Sequence, residues 1–223
     1  VKKKFYTICA LVLLSFSLVY TQDKLSEYPS HKTESFLYLP SGKYLKPLVL
    51  GYNQAVGDLL WIRAVSYFGN HSMTDQEYPW LYHILNLIID LDPLFDFPYY
   101  FGGIVLSLEA SQPKKANEIL ERGIKTYPNK WNYHFYIGFN NYYHLGDPLK
   151  AIPYMERAAS LPDAPAFTQT IVGTLHMELG ERDAALKFFR ELYENTTDEM
   201  IKQKVGYRIQ KILSKEDAHD HSN

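Results

Sequence analysis

One cysteine, Cys9, serves the whole of this 223-residue chain, and it lies in an apolar stretch near the start. Beyond it the chain has no thiol, so it can form no internal disulfide, run no CxxC redox chemistry and give zinc no thiolate. Strong charge of either sign is also missing, with 23 Lys+Arg against 25 Asp+Glu. Lys2, Lys3 and Lys4 are the only charges before residue 20, which leaves 20 basic and 25 acidic residues in the remainder, a formal −5. Binding a phosphate backbone takes a clustered basic face, so nucleic acid is not an expected partner. Catalytic motifs are lacking too: there is no HExxH, GxSxG or Gly-rich phosphate loop. Gly42-Lys43 lacks the upstream glycine of such a loop and is followed by Tyr44, not a hydroxyl ligand of magnesium. His134 and His176 have no ligand partner at i+3 or i+4, and His144 has only Asp147, at i+3. The expectation is a protein without enzymatic activity, metal or cofactor.

Glycine and proline are sparse, at 12 each, but several are placed with regularity. Gly103, Gly138 and Gly173 recur every 35 residues, and Leu85, Leu120, Met155 and Phe189 follow at 35, 35 and 34. Ala116, Ala151 and Ala185 keep the same step, as do Pro93, Pro128 and Pro162. A small residue, a large apolar residue and a proline returning about every 34 residues mark a stacked two-helix repeat. Small residues let paired helices approach, the large one fills the gap, and proline ends the second helix.

The clearest copy is Gly146-Asp147-Pro148-Leu149-Lys150-Ala151, running on through Met155 and Ala158 to Pro162. Gly180-Glu181-Arg182-Asp183-Ala184-Ala185 repeats its start, and Ser111-Gln112-Pro113-Lys114-Lys115-Ala116 is a third copy. These segments resemble the tetratricopeptide repeat family, in its bacterial exported or membrane-anchored form. The resemblance covers about 100 residues clearly. It implies an all-α fold: a right-handed superhelical array of antiparallel helix pairs after an N-terminal signal or anchor helix. In that family the first helices of successive pairs line a concave face that receives a peptide or another protein. Carried onto this chain, the face takes Asn132, Phe139, Tyr143, Thr170 and Thr174, with Tyr100 at its entrance. The run Phe135–Tyr143 is so rich in aromatics that a core is not expected to absorb them all, and exposed aromatics serve as interface anchors. One departure is plain: the stretch from Gly103 or Gly138 to the next turn is one residue longer than that from Gly173.

The flanks complete the organisation. Residues 1–22 read as a signal peptide or signal-anchor helix, because Lys2–Lys4 precede sixteen uncharged residues, Phe5–Tyr20. As a helix that run spans roughly 24 Å against about 30 Å of bilayer core. It places the chain in the cell envelope, periplasmic or outward-facing, and anchored in the inner membrane by residues 5–20 if it is not cleaved. Residues 23–50 read as a linker and an extended strap lying on the first helix. Residues 51–93 form a degenerate first pair, whose first helix stops at Gly69-Asn70. Repeats fill 94–195, a capping helix 196–214, and a disordered tail 215–223. Thr196 three residues before Glu199 has the order of a capping box. In the last helix Ile201, Val205, Ile209 and Ile212 form an apolar stripe, with Lys202, Lys204, Arg208, Lys211 and Lys215 facing away.

Two functions fit. The first is a non-catalytic scaffold that holds a protein or peptide partner on its aromatic face. The second is an accessory subunit or small-ligand binder of a membrane complex, with a polar patch of Gln54, Asp58 and Arg63 beside the strap.

Overall fold

A computed structural model describes residues 39–220; residues 1–38, which include the leader, and 221–223 lie outside the described residues. From Pro40 onward the described residues belong to one compact unit. Its regular structure is entirely helical. A short helix, α1 (Gly42–Leu48), precedes four pairs: α2 (Asn53–Ser72) with α3 (Leu81–Leu91), α4 (Phe97–Leu108) with α5 (Pro113–Thr126), α6 (Trp131–Phe139) with α7 (Pro148–Ser160), and α8 (Ala166–Glu178) with α9 (Arg182–Asn195). A last helix, α10 (Glu199–Asp220), closes the array. Each helix from α2 onward packs on the next in sequence, and α4 also touches α6, the first helix of the next pair.

The recurring glycine and the recurring large residue are two halves of one contact. A Cβ added to Gly103 would lie 2.4 Å from Leu120, one on Gly138 2.5 Å from Met155, and one on Gly173 2.8 Å from Phe189. Each first helix thus opens a hole that its second helix fills from seventeen, seventeen and sixteen residues later. Leu120, Met155 and Phe189 are buried there, each contributing about 1.5–3 kcal/mol of transfer free energy. Ala116, Ala151 and Ala185, one turn earlier, are fully buried where the helices run close. Gly123 does the same between pairs, its missing Cβ leaving room for Tyr133 and Tyr99.

The one-residue length difference also has a structural form. Ser111, Gly146 and Gly180 all take left-handed φ, at 53°, 64° and 78°, eight, eight and seven residues after the hole glycines. In the shorter pair the chain leaves α8 through Glu181 N–H donating to the His176 carbonyl, five residues back. In the longer pairs the equivalent bonds reach six residues back, from Gln112 to Leu106 and from Asp147 to Asn141. Beyond Gly138 this wider winding is a π-helical turn, Asn140–His144. A π turn is how a helix absorbs one extra residue without losing its register.

Three local expectations change. The strap is not extended where it is described: Gly42–Leu48 is helical, and it packs on α3, not on the first helix of the pair. Gly42 makes this contact, since a Cβ there would strike Asp90. Next, α2 runs through Gly69-Asn70 to Ser72. Ser72 and Thr74 hydroxyls bond the Gly69 and Asn70 carbonyls, and the stop comes at Gln76, whose N–H donates to the His71 carbonyl at φ 56°. Finally, α10 is capped by Asp198 and not by Thr196: the Asp198 carboxylate accepts from Met200 N–H at 2.8 Å and Ile201 N–H at 3.2 Å.

Polar contacts follow the repeat as well. Arg122 on α5 donates to Asn86 and Asp90 on α3, each at 2.5 Å. Tyr82 on α3 donates to Glu118 on α5, and Tyr142 in the π turn to Glu178 on α8, both 36 residues on. Ser107 donates to Asn140 Oδ1 at 2.5 Å, and Asn140 Nδ2 to Asn117 Oδ1 at 2.8 Å, a buried chain joining α4, the π turn and α5.

Candidate partner-binding face

The first helices α4, α6 and α8, with the π turn that follows α6, carry the residues that the resemblance assigned to a partner. At the α4 end Tyr100 is 37% exposed and stands edge-on to Tyr136, with ring centres 5.7 Å apart. Burial, helped by the hydrogen bond with Tyr100, pushes the Tyr136 phenol up to about 12, so it stays protonated.

On α6 the aromatics pack largely against one another. Trp131 and Phe135 both meet Phe167 of α8 edge-on, at 5.9 and 5.4 Å. Phe135 stacks on Phe139 at 6.3 Å, and Phe139 on Tyr143 at 5.4 Å. Tyr133 and Ile137 are buried, Phe135, Tyr136 and Phe139 half-buried, and only Tyr143 stands out into solvent, 71% exposed. The expected excess of exposed aromatics in this run is therefore reduced to one ring: Phe135 lies against Trp131 and Phe167, Tyr136 against Tyr100, and Phe139 on the core cluster that includes Met155. Asn132 is half-buried, and no donor among the described residues reaches its covered Oδ1.

Thr170 and Thr174 come together on a hollow of about 240 Å³ between α8 and α10. Tyr142, Met155, Ile171, Leu175, Glu178 and Arg208 complete its lining. Tyr142, not Tyr143, is the tyrosine that turns into it; its bond to Glu178, with some burial, holds its phenol above the usual range. A second hollow of about 260 Å³ adjoins the first, lined by Thr174, Met177, Arg182, Phe189, Arg208, Lys211 and Ile212. The two share Thr174 and Arg208. Arg208 Nη1 donates to Thr174 Oγ1 at 2.9 Å, and the guanidinium lies 5.6 Å from the Phe189 ring centre. The Thr174 hydroxyl in turn donates to the Thr170 carbonyl at 2.8 Å. An apolar floor under three cations, Arg182, Arg208 and Lys211, is suited to an aliphatic or aromatic side chain next to a carboxylate.

Reading the sequence missed Arg208 and Lys211, which were expected to face away from the array. The repeat step carried the signal, for Arg208 follows Thr174 by 34 residues, the spacing of the inter-pair contacts. His176 was also out of reach. It is buried, with Nδ1 2.6 Å from Glu181 Oε2, Nε2 3.0 Å from Glu156 Oε1, and its ring stacked on Phe188. Since its two nitrogens face different carboxylates, it joins α7, α8 and the turn before α9. Among the described residues no group of three or more His, Cys, Asp or Glu is placed to hold a metal ion. No helix of the described residues is long and apolar enough to cross a membrane, and the 5–20 run lies outside them.

The Gln54, Asp58 and Arg63 patch does not converge. All three side chains are exposed on α2, and at about 100° per residue Arg63 points roughly 140° away from Asp58. Trp61, on the Gln54 side, is instead held edge-on by Phe95 and Phe101 at 5.6 and 5.2 Å.

No protein-family model matches the chain, and no curated protein does. Among solved structures it is similar to MamA, residue 41 to the end, from Desulfovibrio magneticus RS-1: 19% identity, TM-score 0.47, covering 62% of this chain and 74% of that one. A further structure titled MamA protein has 17% identity and a TM-score of 0.46, over 69% of this chain and 92% of that one. These are distant likenesses of helix arrangement; the functional reading rests on this chain's own residues.

Proposed function

We propose that this chain is a non-catalytic interaction scaffold that holds an extended segment of a protein partner against α6, α8 and α10. The observation that carries the reading is the pair of joined hollows at Thr174 and Arg208, where apolar floor, hydroxyls and three cations meet on the first-helix side of the array. The bound segment presents an apolar side chain to Phe189 and Ile212 and a carboxylate to Arg182, Arg208 and Lys211. Tyr143, Phe139 and Tyr100 extend the contact towards α4 as aromatic anchors. The chain works in the cell envelope, exported or tethered through residues 5–20 if that run is retained, as its basic start and apolar core support.

Charge reversal tests the scaffold reading. Arg208→Glu and Thr174→Glu are expected to abolish co-purification of the partner from native membranes while leaving the helical circular dichroism spectrum intact. Undiminished co-purification with both variants would refute it. The alternative, an accessory subunit with a pocket at Asp58 and Arg63, draws no support from the geometry, because those side chains diverge.

A further inference from the structure

The first pair carries an apolar surface that the partner face does not use. On α2 the buried residues are Gly57, Leu60, Ala64 and Tyr67. At about 100° per residue, Ala55, Leu59 and Ile62 fall on the opposite flank. Leu59 and Ile62 are 62% and 61% exposed there. The turn leading into that flank is apolar too. Leu48, Leu50 and Tyr52 are all largely exposed, and Leu50 is held at φ 49°, a left-handed conformation that leucine rarely adopts. The turn thus spends backbone strain on projecting a leucine into solvent, an arrangement to be expected where something apolar receives it. Along the sequence the charge of this segment is basic as far as Asp58, although Asp90 of α3 underlies Gly42. Between residues 36 and 57 the sequence has no acid, while Lys43 and Lys46 stand exposed on α1 beside the exposed ring of Tyr44. Asp58 is the first acid met, and Arg63 follows it.

We propose that the α1–α2 turn and the outer flank of α2 rest on an anionic lipid surface. Tyrosine flanked by leucine and lysine is the mixture that settles at the headgroup level, with rings and aliphatic chains just below it and ammonium groups among the phosphates. Each lysine near an anionic leaflet contributes by its charge, although the body as a whole is acidic. Proximity favours lipid over a protein occupant. Twenty-one residues separate Tyr20, the end of the apolar run, from Gly42. A linker of that length reaches at most about 70 Å, which keeps the lipid surface at high local concentration. That part of the argument rests on the tethering proposed above. Lipid contact at this end leaves the α8–α10 hollows on a different part of the array for the partner.

The test uses the full chain in phosphatidylcholine–phosphatidylglycerol vesicles, with an environment-sensitive fluorophore on one cysteine at a time and nitroxide-bearing lipids as quencher. Cys9 itself reports on the leader; in a Cys9→Ser background, Ala55→Cys reports on the proposed surface and Met200→Cys on the far end. Lipid quenching at 9 and 55 but not at 200 is expected. Lys43→Gln and Lys46→Gln should each lower the docked-to-free ratio at 55 about fivefold in anionic vesicles. Quenching at 9 with none at 55 would overturn the docking and spare the tether. Quenching at 55 with none at 9 would overturn the tether and support the docking. A blue-shifted reporter at 55 that lipid does not quench would show that protein covers the surface, which also overturns the proposal.

Discussion

The first helix pair and the three that follow are built to one length scale but by different means. In α4/α5, α6/α7 and α8/α9 a glycine on the first helix receives Leu120, Met155 or Phe189 from the second. In α2/α3 the corresponding large residue, Leu85, is present and fully buried, but the position seventeen residues before it is Phe68. Leu85 instead reaches the next pair, where a Cβ on Gly102 would meet it at 2.9 Å, and Phe68 turns to Tyr78 and Phe101. Losing the hole therefore does not lose the pair. It trades an interlock within the pair for aromatic packing towards the neighbour and leaves an apolar flank on α2 uncovered. The lesson is that the interlock sets register, and that the terminal pair is free to depart from it.

This contrast can be broken at its strongest point. Gly138→Val would drive a side chain into Met155 and the Ala151 carbonyl, already 2.5 and 3.1 Å from a bare Cβ, and should destabilise the protein by about 3 kcal/mol or more in urea unfolding. Met155→Ala should cost about 2–4 kcal/mol alone, yet less in a Gly138→Ala background, because the two changes share one space. Simple additivity in that cycle would contradict the interlock. Asn140→Leu should cost about 1–3 kcal/mol, since it strands the Ser107 hydroxyl and Asn117 amide. Gly69→Ala, in the pair without a hole, meets no atom within 4 Å and should instead stabilise by about 0.5–1 kcal/mol.

The smallest effect concerns pH. Burial lowers the pKa of His134 from 6.5, against a raising hydrogen bond between its Nε2 and the Pro128 carbonyl. A histidine with a depressed folded pKa contributes stability that is present above 6.5 and is lost as pH falls through 6.5 towards the folded value. His134→Gln should therefore flatten the fall of Tm on acidification across that window. A variant as acid-sensitive as the parent would show that other groups carry the effect.

Much of this contrast was legible in the residues. Gly103, Gly138 and Gly173, the buried alanines and the terminating prolines announced paired helices, because close packing imposes small residues at fixed steps. Thr170 and Thr174 fell on one hollow because the repeat register places them there. What escaped depended on side-chain direction and on partners far along the chain. Phe135 reads as exposed in the sequence but is covered by Trp131 and Phe167, and Phe139 packs on the core cluster around Met155. Arg208 read as a solvated face until its bond to Thr174, and α1 read as extended although Gly42 is the one residue small enough to lie on Asp90. Asn140 gave no warning of its role, since a buried amide declares itself only through the Ser107 and Asn117 side chains it joins.

The central claim, that a partner lies along the first helices and α10, is tested most directly by placing a photo-crosslinking amino acid at Thr170 and, separately, at Glu121, an exposed position on α5. An adduct with one defined partner from Thr170 only, lost on Arg208→Glu, is the predicted result. Equal adducts from both positions, or an adduct from Thr170 that survives Arg208→Glu, would contradict it.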